Sequence, residues 1–399
     1  MSGRHRPLHA TSRVAIVHDA LVNTGGAERT LTYMCEAFPD APVFTSVYLP
    51  ERTFEAFRHR DVRVLPGARL AVNERRAKQL FPLWVLGFRS LDLSGFEAIL
   101  SSSTFAAKHI RPPAGVHHAC YCYAPFRLLW KPEAYDGASL PISPALNGAL
   151  ALVRPMLCSW DRQVTRRIPA LATTCQHMAE EIARCYNRQA RVIYVPVRLS
   201  DYTLGTGVGN YYLTVSRLMS HKRVDLAVSA CQRLGRRLVV VGDGPELTAL
   251  RRLAGESATF LGKVSDRELA GLYAGCRALL FCSHEDYGLS PIEAQASGRP
   301  VIAFGAGGVL ETVLEGETGV FFRTQDVDAV VDAIMAFERM TFETAAIRRV
   351  AARFDHTRFI DELRGFVGVR EAATTKACHD SPGAESADLV PARTERGVK

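Results

Sequence analysis

Apolar residues in this chain gather into short runs that are hydrophobic at nearly every position, separated by longer stretches where they recur at helical spacing. The first run, Val14-Ala15-Ile16-Val17, ends at His18-Asp19 and leads through Thr24-Gly25-Gly26 into a helical stretch starting near Ala27. Strand, glycine loop and helix in that order open a Rossmann-like unit. Further strands are predicted at Pro42 to Val47, Ala98 to Leu100, His118 to Tyr123, Leu171 to Thr174 and Arg191 to Tyr194. After a Gly- and Thr-rich segment from Thr203 to Asn210, a second unit opens at Tyr211-Tyr212-Leu213-Thr214-Val215. Its later strands are predicted at Arg237 to Val241, Thr259 to Leu261, Ala278 to Cys282, Pro300 to Phe304 and Gly319 to Phe322. Strands without polar alternation belong to a parallel sheet covered on both faces.

The pattern therefore predicts an α/β protein of two Rossmann-like, doubly wound lobes facing across a cleft. Residues 12–200 form the first lobe, 201–209 a linker and 210–352 the second lobe, while 353–370 form a helix crossing back to the first. The tail, 371–399, is rich in Ala, Ser, Thr and charge, a composition that predicts disorder. Ligands of such lobes bind where the carboxyl ends of the strands meet.

Composition adds little to this, with 47% hydrophobic and 23% charged residues being ordinary for a globular protein. The chain has no apolar run long enough for a membrane span, and its first residues lack the apolar core of a signal peptide, so a cytoplasmic location is expected. Its ten cysteines are scattered without a CxxC pair and read as buried thiols. The charge is more informative once divided. Residues 1–200 hold 25 Lys+Arg against 15 Asp+Glu, or +10; the remainder has 24 against 26, or −2, recovering the overall +8. The excess peaks where Arg58, Arg60, Arg63, Arg69, Arg75, Arg76 and Lys78 face only Asp61 and Glu74, and the apolar segment Leu80 to Leu86 follows. Such a juxtaposition suits an anionic membrane surface, making the protein peripheral at the inner face. It equally suits a solvated arginine face followed by a core helix. Nucleic acid is not an expected partner, because the basic stretch lacks interleaved stacking aromatics and any binding motif.

The densest cluster of reactive groups is His284 to Ala294, directly after a predicted strand. It holds two carboxylates, Glu285 and Glu293. Ser290, Pro291 and Glu293 have the spacing of a helix start, with Ser290 as N-cap and Glu293 closing a capping box. The same loop also offers backbone N–H groups of Gly288, Leu289 and Ser290 at a helix N-terminus, where a phosphate or sugar oxygen is stabilised. A second cluster, Ser216 to Arg223, follows the strand that opens the second lobe. Arg217 and Lys222 there can both reach one diphosphate, the arginine as a planar fork and the lysine as a point charge. A solvated basic loop is the alternative. Gly242-Asp243-Gly244-Pro245-Glu246 superficially suggests a dinucleotide fingerprint but has Leu247 in place of the third glycine, which disfavours a nicotinamide-dependent dehydrogenase.

Taken together these motifs resemble retaining GT-B glycosyltransferases of family four. Glu285 and Glu293 match its Glu-x7-Glu signature, continued by Ala294-Gln295-Ala296-Ser297-Gly298-Arg299-Pro300-Val301-Ile302-Ala303. The likeness extends to Gly305 to Gly308 with Glu311-Thr312, Glu315 to Gly319, Ser216-Arg217-Leu218 with Lys222, Gly242 to Glu246, and Val17-His18-Asp19 with Gly25-Gly26. It covers roughly residues 13 to 365 and is most similar to bacterial surface-polysaccharide (lipopolysaccharide or exopolysaccharide) transferases, often mannosyltransferases.

The resemblance implies that Arg217 and Lys222 hold the diphosphate of a nucleotide-sugar donor. It also implies that Glu293 binds the ribose, Glu285 the transferred sugar, and Gly288, Leu289 and Ser290 offer N–H groups. Gly25 and Gly26 would let the first lobe approach the diphosphate. It implies no metal and no further cofactor, the one Asp-x-Asp, Asp326-Val327-Asp328, being better explained as a helix start. The implied reaction moves a hexosyl group, mannosyl from GDP-mannose first, to a lipid-linked saccharide. One residue departs from the pattern: Tyr123 stands where a histidine is usual, so His18 is the candidate to serve there, ahead of His109, His117 and His118. That departure also leaves a rival reading, a catalytically impaired partner or scaffold of a polysaccharide assembly complex.

Overall fold

The computed structural model describes residues 13–71, 74–132, 144–207 and 209–368. Thirteen strands are placed among these. In the first half they are β1 (Val14–His18), β2 (Val43–Thr45), β3 (Val62–Val64), β4 (Ala98–Ser103), β5 (His117–Cys122), β6 (Ala170–Thr173) and β7 (Arg191–Val192). In the second they are β8 (Tyr212–Val215), β9 (Leu238–Val241), β10 (Ala258–Gly262), β11 (Ala278–Phe281), β12 (Val301–Phe304) and β13 (Gly319–Phe322). The two sheets run β3-β2-β1-β4-β5-β6-β7 and β10-β9-β8-β11-β12-β13. Every described pairing within them is parallel. Both sheets start in the middle, wind outward, and return to the other side of their first strand, which creates a crevice beside β1 and β8 at the carboxyl end.

Burial on both faces explains the unbroken apolar runs. In the first sheet Val14, Ile16, Ala98 and Leu100 pack on Leu31 and Met34 of the helix Gly26–Ala37, together with Phe359, Leu363 and Val367 of the last helix, His356–Val367. Ala15, Val17 and Ile99 face the other way, onto Trp84 and Phe88. In the second sheet Val240, Leu280 and Ile302 pack on Val224–Leu234 and Val327–Phe337, while Leu213, Leu279 and Val301 meet Tyr273 and Ala294. The chain passes between lobes twice, and the two passages lie side by side: Val197 N–H donates to Phe354 O at 2.9 Å and His356 N–H to Val197 O at 2.9 Å.

Edge strand β3 was not expected, since Arg63 at its centre hides it from a hydrophobicity reading. The first three arginines of the basic stretch it belongs to are tied down. Arg58 pairs with Glu51 at 2.8 Å, Arg63 with Asp61 at 2.7 Å, and Arg60 donates to Pro39 O at 2.6 Å. The apolar segment after it forms the helix Phe81–Arg89, which buries Trp84, Val85 and Phe88. Trp84 Nε1 also donates to Ala77 O at 2.7 Å. Leu83 and Leu86 point outward from the same helix. The nine described cysteines are free thiols, all buried but Cys158; Cys378 lies outside the described residues, as does the tail 371–399. No described helix is long and apolar enough to cross a membrane.

Candidate functional site

Loops leaving the carboxyl ends of β8 and β11 bring Lys222 and Glu285 together. Lys222 sits in a single turn, Ser220–Lys222, and its ammonium is ion-paired with Glu285, which also accepts from Ser283 Oγ at 3.1 Å. Both side chains are largely buried, so the pair is poorly screened and held in one place. Arg217, in the same loop as Lys222, is exposed. Its loop is built from beneath by the glycines that mimic a dinucleotide motif. A Cβ on Gly242 would lie 1.8 Å from Ser216 O, and one on Gly244 2.3 Å from Leu218 O. Leu218 N–H donates to Asp243 O at 3.0 Å and Glu246 N–H to Leu218 O at 3.1 Å, completing the clamp. The motif therefore shapes the loop and need not touch a cofactor.

The helix after β11 corrects one expectation. It runs Leu289–Ala296 with Gly288 as N-cap at φ +85°, and no side chain caps it. Ser290 is already inside the helix, so Glu293 closes no capping box. Gly288 reaches a left-handed conformation that Ser290 does not have to supply, and the helix starts earlier. Pro291 is tolerated because the first four N–H groups of a helix have no internal partner. Freed from capping, Glu293 is buried and accepts from Tyr273 Oη at 2.7 Å, with Tyr202 beside it. Against burial, which pulls the other way, its charge and that of Asp266 raise the pKa of Arg29 in the first lobe.

The first lobe presents a second helix N-terminus to the same place. Gly25 is the N-cap of Gly26–Ala37, again without a side-chain cap, and a Cβ added to Gly26 would lie 3.4 Å from Leu289 Cδ1. Two helix N-termini thus meet across the cleft, each the positive end of a backbone dipole, close to where Lys222 adds a full charge. Glu285 is also braced from behind. Gly308 N–H donates to Glu285 O at 3.1 Å, and a Cβ on Gly307 would collide with that same oxygen.

His18, the residue expected to serve where Tyr123 stands, is withdrawn from solvent. It is 2% exposed at the end of β1, and burial pushes its pKa down to about 4 against the opposing charge of Asp19. Its Nδ1 lies 3.0 Å from Ser102 Oγ, which lies 3.0 Å from Tyr123 Oη, and Tyr123 donates to Ala27 O at 3.1 Å. A neutral, buried ring tied through Ser102 and Tyr123 to the first turn of Gly26–Ala37 braces the glycine loop. His118 is likewise buried, bonded to Ser101 Oγ at 2.8 Å, and His109 stacks on Trp160, so neither is brought to Glu285.

Asp19, next to His18 at the end of β1, organises the opposite wall with its carboxylate. It accepts from the N–H groups of Thr104, Phe105, Ala106 and Ala107 at 2.5, 2.9, 2.8 and 2.6 Å, fixing the loop that leaves β4. Glu311 had no role expected from sequence. From the second lobe it accepts from Gln176 N–H and His177 N–H, both at 2.8 Å, and from Tyr194 Oη at 3.1 Å, all in the first lobe. Arg29–Asp266 at 3.0 Å and an Arg127–Asp286 ion pair join the lobes elsewhere. Asp326 caps Val327–Phe337 by accepting from Ala329 N–H at 2.8 Å, while Asp328 pairs with Arg233.

Residues 207–353 match the family described as "Glycosyl transferases group 1". A glycogen synthase of Pseudomonas aeruginosa is 31% identical over 175 residues, 40% of this chain and 33% of that protein. A GDP-mannose-dependent alpha-(1-6)-phosphatidylinositol monomannoside mannosyltransferase of Mycobacterium tuberculosis is 37% identical over 138 residues, 30% of this chain and 36% of that protein. The matched part thus spans about a third of these relatives' length. Over the whole fold, sucrose-phosphate synthase from Thermosynechococcus elongatus superposes with a TM-score of 0.70 at 18% identity, covering 88% of this chain and 98% of that one. HepE of Anabaena, in complex with UDP, superposes at 0.64 with 18% identity, covering 88% and 98%. The chain therefore has two parallel-sheet lobes in the GT-B arrangement, and residues 207–353 of the second are similar to the group 1 glycosyl transferases.

Proposed function

We propose that this protein is a hexosyltransferase that moves a sugar, with retention of anomeric configuration, from a nucleotide diphosphate sugar to a lipid-linked saccharide at the cytoplasmic membrane face. The observation that carries this reading is the Lys222–Glu285 pair, set beside two uncapped helix N-termini, at Gly26 and Leu289. A donor diphosphate offers this place the negative charge that both helix ends and Lys222 favour, and Arg217 is exposed on the same loop to add a fork. Diphosphate arriving at Lys222 releases Glu285, whose oxygens are then free to accept from sugar hydroxyls. As the leaving group departs, the same positive groups stabilise the charge it gains, and no metal is needed for that task. Glu293, buried and already accepting from Tyr273, is the acceptor for ribose hydroxyls.

The donor is GDP-mannose in the first instance, a choice supported by the mannosyltransferase relatives; HepE, solved with UDP-glucose, makes uridine the competing base. The acceptor and the role in surface-polysaccharide synthesis follow the same resemblance. Calorimetry with GDP, UDP and their sugars, together with slow donor hydrolysis and assignment of the released anomer by NMR, tests the reading. Micromolar binding of one base with hydrolysis supports it. No binding to any of them ends it.

A further inference from the structure

The helix Pro144–Arg166 ends four residues before Ala170, the start of β6, which is parallel to β5. Its last turn therefore stands at the amino end of the sheet, and its first half reaches toward the carboxyl ends, where the cleft lies. One side of it is committed to the core: Leu157 and Cys158 pack against the cluster of Phe126 and Leu129, and Asp161 and Thr165 are buried. The outward side is not. Leu152 is 84% exposed and Val153 42%, both in the half nearer the cleft, and Met156 at the middle is 66% exposed. Arg166 and Arg167 are exposed at the other end, and Arg162, Arg166 and Arg167 line one shallow groove with Met156 and Trp160.

At about 100° per residue, positions 152, 156, 163, 166 and 167 fall in one stripe. The helix Phe81–Arg89, whose inner face shares a core cluster with Trp160, also turns Leu86 outward, 65% exposed. Arg89 at its end has its pKa lowered, first by burial and then by the nearby charges of Arg111 and Arg167, which places three arginines in one neighbourhood. Among the described residues, no carboxylate pairs with Arg89, Arg111, Arg166 or Arg167. A surface that is apolar at one end and cationic at the other, without acidic partners among the described residues, fits a bilayer interface. Acyl chains receive Leu152 and Met156, and headgroup phosphates receive the arginines. A second copy of this chain fits less well, because two-fold pairing sets the patch against itself and brings arginine to arginine.

We propose that the outward face of Pro144–Arg166 is a docking surface for a bilayer carrying anionic lipid. This is not the basic stretch around Arg58 to Arg63, whose arginines are paired within the fold. The surface stands whether or not the cleft transfers a sugar, and its assay contains no donor. If the transferase reading holds, the apolar half of the helix brings the cleft close to the bilayer in which a lipid-linked acceptor sits.

The full-length protein is floated with vesicles of phosphatidylcholine alone and of phosphatidylcholine mixed with phosphatidylglycerol. Binding is expected with the mixed vesicles only, weakening as salt is raised. Leu152→Glu with Met156→Glu, and separately Arg166→Glu with Arg167→Glu, each lower the partition about ten-fold or more, since each lost arginine contact to an anionic surface is worth about 1 kcal/mol and a reversed charge is repelled. Thermal melting and nucleotide binding stay at the parent values in both. Should the glutamate pair fail to fold, Leu152→Ser and Met156→Ser read out the same loss. The proposal is overturned if the parent does not float with anionic vesicles, or if the folded variants float as the parent does. It is equally overturned if the parent is a dimer in vesicle-free buffer that Leu152→Glu dissociates, for then the patch belongs to a second copy.

Discussion

Lys222 and Glu285 hold each other in the free protein, so the affinity for a donor is a difference between two pairings. Lys222→Ala removes the charge-assisted contact to diphosphate, and donor binding is expected to weaken by roughly 1.5–3 kcal/mol, read by calorimetry; unchanged affinity would refute the assignment. Buried histidines give a second expectation. Burial pushes His18 down to about 4 and His118 to about 3, both from 6.5. With the folded values depressed, the unfolded chain binds more protons between pH 6.5 and these values, so stability is complete above pH 6.5 and falls as the pH drops. For His18 alone the loss is on the order of 3 kcal/mol by pH 4. Melting temperatures measured from pH 7 to 4 follow this slope, and His118→Gln flattens it if the variant folds; a flat profile in the parent removes the account. At this scale Lys222, Glu285 and the Gly25-Gly26 loop were legible in the sequence, because charge and glycine each leave a local mark. The seat of His18 was not. Its ring is withdrawn by Ser102 and Tyr123, residues far away in sequence that only the pairing of β1 with β4, and β4 with β5, brings beside it.

Elements are where the reading of the chain did best, since strands buried on both faces are apolar runs whatever their order. It failed where local signals compete. Gly288, Ser290 and Pro291 all mark a helix start, and the capping-box spacing favoured Ser290, while Gly288 at φ +85° won by a conformation other residues rarely adopt. The Gly242–Gly244 motif has the opposite lesson. It looks like a ligand loop and acts as a floor under one, with Ser216 O where a Cβ of residue 242 would be. Gly242 also sits at φ +128°. Gly242→Ala is therefore expected to cost at least about 1–3 kcal/mol of stability through backbone strain, and to displace the loop that carries Arg217 and Lys222. Thermal melting and donor titration of the same preparation read both effects. A variant that melts and binds like the parent would show that the clamp is not needed.

Between whole lobes a buried apolar seam is joined by specific polar contacts, and their chemistry says how the cleft is held. Glu311 belongs to the second lobe, yet its carboxylate accepts from the first N–H groups of Gln176–Tyr186 and from Tyr194 in the first. A carboxylate at a helix N-terminus is stabilised by the dipole and by direct hydrogen bonds, and here that ordinary cap spans two lobes. No sequence pattern announces it, because a capping residue is normally sought just before its helix and this one lies 135 residues beyond Gln176. Arg29–Asp266 and Arg127–Asp286 are more exposed, and pairs of that kind contribute little. Among the charged contacts Glu311 should therefore weigh most, beside the buried seam where Tyr287 and Ile292 meet Ala124, Cys175 and Met178. Glu311→Ala leaves two N–H groups and a tyrosine hydroxyl without their acceptor, and is expected to loosen the lobes at a cost of about 1–2 kcal/mol, typical of a lost cap. In solution scattering the variant should show a larger radius of gyration without donor and contract when donor is added, because a ligand bridging Gly26 and Leu289 replaces the missing cap. Scattering curves that superpose on the parent's, with donor and without, would mean that the lobes are held by the apolar seam at Tyr287 and Ile292 and by their two side-by-side chain passages at Val197 and His356, and that Glu311 caps a helix and does no more.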